Sequence, residues 1–505
     1  MRSKALTLAL IWAAHGALAQ DGPLSAIDWL SDSVTPPVVA PAPDIPESAA
    51  PELVTVAPLD GPVLDAAGLL PPSMTGLPKT LWGSSSRADL AALIRSERAD
   101  TLPAVQSLLY TLLLAELAPP QGEGADGTLL LARLDKLLAL GALDQAQALL
   151  ERAGPTHPEL FRRWFDVSLL TGQEDRACAA MRAAPDIAPT FQARIFCLAR
   201  GGDWNAAALS LETGRTLGYI TAQQDAILTR FLVPELDEGA TPLPIPNRPS
   251  PLVFRMFEAI GEPLPTATAP LAFAQADLRP TAGWKAQLEA AERLGRSGAI
   301  PANRLLGIYT ERRPAASGGV WDRVAAVQKL DVAILSGDAA QVAMALPGAW
   351  QAMQAAELEV PFASLYGARL AQMDLPPAQK SRAFRMGLLS DTYETIARNH
   401  EPQNRMETFL RAVAQGDLGG LTPPNDLARA VLDGFSTPTL SEPMQARLND
   451  GRLGEAILVA IDLITDGSRG DLSDVSEALA VLRHLGLEDT ARRSALELLI
   501  LERRG

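Results

Sequence analysis

Leu138-Ala139-Leu140-Gly141-Ala142-Leu143-Asp144-Gln145-Ala146 reads as a helix end, a turn and a helix start. The leucines close an apolar helix. Gly141 supplies the left-handed residue that ends it without steric cost. Asp144 places negative charge near the positive end of the next helix dipole. Ala146 is small enough to let the two helices lie close together.

The same pattern recurs along the chain. It is found at Leu169-Leu170-Thr171-Gly172-Gln173-Glu174, at Leu198-Ala199-Arg200-Gly201-Gly202-Asp203, and at Leu335-Ser336-Gly337-Asp338-Ala339. It returns at Leu448-Asn449-Asp450-Gly451-Arg452-Leu453-Gly454-Glu455 and at Leu482-Arg483-His484-Leu485-Gly486-Leu487-Glu488. From about residue 88 onward, helical stretches alternate with Gly, Pro or Asp turns, and no run alternates as a strand does. The expected fold is all-α, built of stacked helical hairpins. In this pattern the chain resembles tetratricopeptide-type helix-turn-helix repeat proteins. The resemblance implies an α-solenoid with a long concave surface for holding another protein.

Proline divides the chain. Pro242, Pro244, Pro246 and Pro249, with the acidic run Glu235-Leu236-Asp237-Glu238, predict a linker over 234–251. Two helical-repeat bodies are expected around it, at 81–233 and 252–505, each long enough to bury a core. An ordered surface loop within one superhelix is the alternative. Residues 20–80 are rich in Pro and Ala, and this composition predicts a disordered tether. Within it, Leu24, Ile27, Leu30 and Val34, with Trp29 beside them, form the stripe of a short amphipathic helix over 24–34. Three turns of helix are not stable alone in water. Ile27, Trp29, Leu30 and Val34 are therefore candidate partner-binding residues. The linker after this helix, over about 36–63, would reach on the order of 80 Å at 3.1 Å per residue. The apolar residues Val63, Leu64, Leu69, Leu70, Leu81 and Trp82 are expected to pin the tract to the folded body.

The first residues carry an address. Arg2 and Lys4 precede an apolar run from Ala5 to Ala14, and Ala17-Leu18-Ala19 matches a small-residue cleavage site before Gln20. Residues 1–19 thus read as a secretory signal peptide, too short for a spanning helix. Its bacterial style points to the periplasm, with secretion as the alternative. Removing Arg2 and Lys4 takes the formal charge from −15 to −17. Nucleic acid and anionic lipid are bound through clustered cations and are not expected partners. No stable membrane insertion is expected after cleavage, because no later apolar run is long enough to span. Cys178 and Cys197 are the only cysteines, and in an oxidising compartment they are expected to pair.

Signatures of chemistry are missing. Gly122-Glu123-Gly124-Ala125-Asp126-Gly127 matches a dinucleotide fingerprint in letters but follows Pro119-Pro120 rather than a strand. Asp466 and Glu477 stand at the ends of a calcium-loop spacing that has Asp471 where the loop needs Gly. His157, His400 and His484 are isolated and are expected at the surface or at helix caps. No cofactor, metal or catalytic residue is predicted.

The segment that departs most from the repeat runs from Gly307 to Arg323. It gathers Tyr309, Glu311, Arg312, Arg313, Trp321, Asp322 and Arg323 around Gly318-Gly319. Two readings stand side by side. One is a ligand or partner loop, with the arginines gripping a carboxylate and Trp321 as an apolar platform. The other is a helix break with internal salt bridges.

The functional expectation is a non-catalytic, exported scaffold or assembly factor that binds a protein of the bacterial cell envelope. The alternatives are a cell-wall enzyme whose site is scattered through the sequence, and a helical module for a small molecule or lipid. Oligomeric state is open at this stage.

Overall fold

The computed structural model describes residues 63–122, 124–233, 241–436 and 440–501. The expected signal peptide, with Ala19 and Gln20, lies outside the described residues, and so does the 24–34 helix. The described chain is all-helical, with 25 α-helices packed in neighbouring pairs and no strand.

The quoted turn joins helices Thr128–Ala139 and Leu143–Ala153. Gly141 sits there at φ 74°, and Gly172 takes the same conformation at φ 77° between Pro158–Thr171 and Glu174–Ala183. The other four quoted turns likewise each join two consecutive helices. Side-chain caps strengthen several starts. Asp203 accepts from the Ala206 amide, and Thr221 forms a full capping box with Gln224.

The helices do not contact only their neighbours in sequence. Helix Pro103–Leu114 (α3) packs on Glu488–Leu501 (α25), and Arg87–Ser96 (α2) packs on Leu453–Gly467 (α23). A stack in which each repeat touches only the next makes no such contacts. Here the last helices return to the first. Thr101 and Thr465 share a hydroxyl–hydroxyl bond of 2.6 Å, and the Ala104 amide donates to Glu497 Oε2 at 2.9 Å.

Contacts also cross the Pro-rich segment. Tyr110 Oη donates to the Ser297 carbonyl at 2.9 Å, and Gln275 Nε2 donates to the Gly141 carbonyl at 2.7 Å. Arg255 reaches Glu174 at 2.7 Å. The described part of the segment is itself fastened: Glu262 accepts from Arg230 at 2.8 Å and from the Leu243 amide at 2.9 Å.

Residues 63–80 were expected in the tether, with an apolar cluster pinning them; Leu64, Leu69, Leu81 and Trp82 do pack on the core, Val63 is exposed, and the segment belongs to the packed structure. Burial of Leu77, Leu81 and Trp82 accounts for part of this. Buried polar contacts account for more. Arg133 donates to the carbonyls of Ala67, Leu113 and Ala115 at 2.7–2.9 Å, and burial pushes its pKa down to about 10. Asp65 accepts from Arg87 at 3.0 Å and from the Leu130 amide at 2.9 Å. A proline-rich composition says nothing of partners 22 to 66 residues away.

Candidate functional site

The segment 307–323 links helix Ala302–Thr310 (α14) to Val320–Ser336 (α15). Its chemistry turns inward around Glu292, on helix Trp284–Arg296 (α13). The Glu292 carboxylate accepts from the Tyr309 hydroxyl at 2.6 Å, from Arg323 Nε at 2.8 Å and from Arg323 Nη2 at 2.5 Å. Burial and the neighbouring Glu292 push the Tyr309 hydroxyl pKa up. Trp321 packs on Trp284 with ring centres 5.2 Å apart. Asp322 accepts the Gly318 amide at 2.9 Å. Of the seven candidate residues, Glu311, Arg312, Arg313 and Asp322 are exposed, and Arg312 pairs with Glu311 at 3.0 Å. The salt bridges of the helix-break reading are thus present, and the two exposed arginines are what remains for a ligand.

Cys178 and Cys197 are bonded, with Cα atoms 5.0 Å apart. They join helices Glu174–Ala183 and Phe191–Arg200. Both are buried, so the bridge is a structural staple rather than an exposed redox centre.

The histidines occupy helix ends. His157 precedes helix Pro158–Thr171, His400 caps Tyr393–Asn399, and His484 closes Leu472–His484. His400 is a cap, as expected, but a buried one, stacked on Phe384 with ring centres 3.7 Å apart. Its Nε2 bonds Glu407 at 2.8 Å, and the same carboxylate accepts from Ser381 and from the Gln403 amide. Burial opposes ionisation of Glu407, but the bonds from His400 and Ser381 outweigh it and lower its pKa. Ser381 bonds the carboxylate and not the imidazole, so this trio lacks the nucleophile-to-base contact of a hydrolytic triad. A cavity of about 170 Å³ lies beside it, lined by Gln372, Lys380, Thr392 and Asn399.

A larger open cavity of about 410 Å³ lies where the chain ends meet. Leu102, Met406, Leu427, Leu472 and Leu498 give it apolar walls, and Asn425, Asp426, Arg469 and Glu497 add polar groups. Among the described residues, no group of three or more His, Cys, Asp or Glu is placed to hold a metal. Among the described residues, no helix is long and apolar enough to cross a membrane.

Two exposed apolar regions escaped the sequence reading. The first is on helix Trp204–Thr216 (α9) and the turn after it. Trp204 is 50% exposed and Leu209 70%, with Leu217 and Tyr219 also exposed. This helix packs chiefly on Phe191–Arg200 (α8) and Ala222–Leu232 (α10), which leaves its outer side open. The second is on the hairpin of α15 and Ala339–Ala355 (α16). The available signal was the lack of charge on α16, which is masked in a linear reading by the general richness in alanine.

No protein family, no curated protein and no solved structure matches this chain.

Proposed function

We propose that this protein is an exported, non-catalytic protein-interaction scaffold of the bacterial cell envelope. The observation that carries the reading is the open apolar rim of α9. The outward face of a surface helix is normally polar, since an apolar one invites association. Trp204, Leu209, Leu217 and Tyr219 break that rule together. Trp and Tyr are enriched among the few residues that supply most of the energy in protein interfaces. The amphipathic stretch 24–34 offers a second contact at the end of its tether. Export is supported by the amino-terminal address and by a disulfide within the folded body.

The test is in-cell crosslinking of the tagged protein, with captured proteins identified by mass spectrometry. Wild type is compared with Leu209→Glu/Leu217→Glu and with a deletion of residues 22–34. An envelope partner lost with the glutamates and retained by the deletion places recognition on the rim. One lost with the deletion alone moves recognition to the tether. Absence of any specific partner in all three samples overturns the scaffold reading.

A small-molecule module is the second reading, and the cavity of about 410 Å³ favours it. That volume is within the range of ligand pockets. A reproducible rise in melting temperature across a panel of amphipathic carboxylates, abolished by Leu498→Trp, supports it. A flat panel removes it.

A further inference from the structure

Helix α16 spans 17 residues without one charged side chain, in a chain of net charge −15. Its inner face is buried through Val342, Leu346, Ala349, Trp350 and Met353. Its outer face carries Gln341, Met344, Gly348 and Gln351, all exposed. Met344 is 70% exposed, and on the paired helix α15 Leu335 is 65% and Val332 63% exposed.

Two residues in this helix oppose helix formation. Pro347 cannot donate to the Ala343 carbonyl, and an interior proline costs about 3 kcal/mol. Gly348 costs about 1 kcal/mol more than alanine. The fold draws nothing from Gly348, since a Cβ built there would meet no atom within 4 Å. A glycine that leaves room outside the molecule is suited to close approach by another backbone. Helix axes can then come to the roughly 8 Å lower limit of helix packing.

We propose that this face pairs with the same face of a second copy of the chain, α16 against α16 across a two-fold axis near Met344 and Gly348. Charge selects the occupant. Two copies of an acidic protein repel wherever their ordinary surfaces meet. Asp338 caps one end of α16 and Glu357 is exposed just beyond the other, but the helix between them is uncharged. Copies meeting near Met344 and Gly348 therefore set no like charges directly against each other, and an isologous contact needs only self-complementarity. The chain's own 24–34 segment fits less well, because it carries Asp28 and Asp32 and α16 offers no cation to match them. The pairing is independent of the α9 rim and would present that rim twice.

Sedimentation equilibrium of the purified protein tests this at concentrations from about 1 to about 100 µM. A dimer is expected whose association strengthens with added salt, because salt screens the net repulsion and no ion pair holds the face. Met344→Glu and Gly348→Glu are each expected to weaken association about 30-fold or more. Circular dichroism should show their helix content retained, and Leu209→Glu should leave the dimer intact. A wild-type monomer throughout the range overturns the proposal. So does a dimer indifferent to both α16 substitutions. Hydrogen exchange supplies a third readout: if α16 is protected in a monomer and loses protection when residues 20–34 are deleted, the occupant is the amino-terminal segment, and the proposal is overturned.

Discussion

Gly454 packs against the indole of Trp82 with no space for a side chain between them: a Cβ built on Gly454 would collide with the six-membered ring. The Gly454 amide also donates to the carbonyl of Leu81, beside Trp82, at 2.9 Å. The two residues stand more than 370 positions apart, and their contact is one of the close points of the closure between α23 and the entry to α2.

Gly454→Ala makes two effects compete. Alanine inside a helix gains up to about 1 kcal/mol over glycine. Overpacking against a buried ring costs about 1–3 kcal/mol. Because Trp82 is buried, the cost is expected to win. Urea denaturation should show net destabilisation, with faster hydrogen exchange over residues 81–85. A stabilised variant would show that the ring moves aside freely.

Glu292 is the hub beneath the 307–323 segment. Removing a buried carboxylate that serves Tyr309 and Arg323 leaves a guanidinium without its partner. Glu292→Ala should cost roughly 3–5 kcal/mol in chemical denaturation. Arg312→Ala/Arg313→Ala should stay within about 0.5 kcal/mol of wild type, since both side chains are exposed. A partner or ligand that this double variant fails to bind would assign the exposed arginines a recognition role.

Stability should fall as pH rises through neutrality. Burial, aided by the nearby Asp462, raises the Glu97 pKa from 4.5 to about 8, with Lys136 and Arg98 offsetting only part of this. Below pH 4.5 the carboxyl is protonated in both folded and unfolded chains. Between 4.5 and about 8 only the folded chain holds the proton, so stability is lost with rising pH. The slope is at most about 1.4 kcal/mol per pH unit for one proton. Asp166, raised to about 7 chiefly by burial, acts in the same direction. Lys136, pushed down to about 8 by burial, opposes it only above that pH. Denaturation of wild type against Glu97→Gln isolates the Glu97 contribution: the curves should approach at pH 4 and separate towards pH 8, with the variant the more stable. Parallel profiles would refute the assignment.

The disulfide should contribute about 3 kcal/mol, the value expected for closing a loop of about 20 residues. Cys178→Ser/Cys197→Ser, or reduction of the wild type, should lower the denaturation midpoint accordingly. Thiol titration of the unfolded, unreduced protein should find no free thiol. Two free thiols would remove the bridge.

The helical hairpins were legible because a local rule writes them. An apolar stripe, a left-handed glycine and an acidic helix start lie within nine residues of one another, as at Leu138 to Ala146. The pairing of Cys178 with Cys197 was legible for a similar reason, since only one pairing of two cysteines exists within the chain. The return of α25 to α3 was not legible, because the bonds that make it join residues more than 360 positions apart. The inward commitment of Tyr309 and Arg323 depends on Glu292, which sits on another helix. The apolar pinning of residues 63–80 was legible, but their polar anchoring was not, because Arg133 and Leu130 lie on α4, the helix Thr128–Ala139. Sequence alone therefore determined the helices, their turns and the cysteine pair, all set by short-range backbone preference and composition. Tertiary structure alone decided which polar groups are spent inside and which apolar faces are left open, because burial is a property of neighbours distant along the chain.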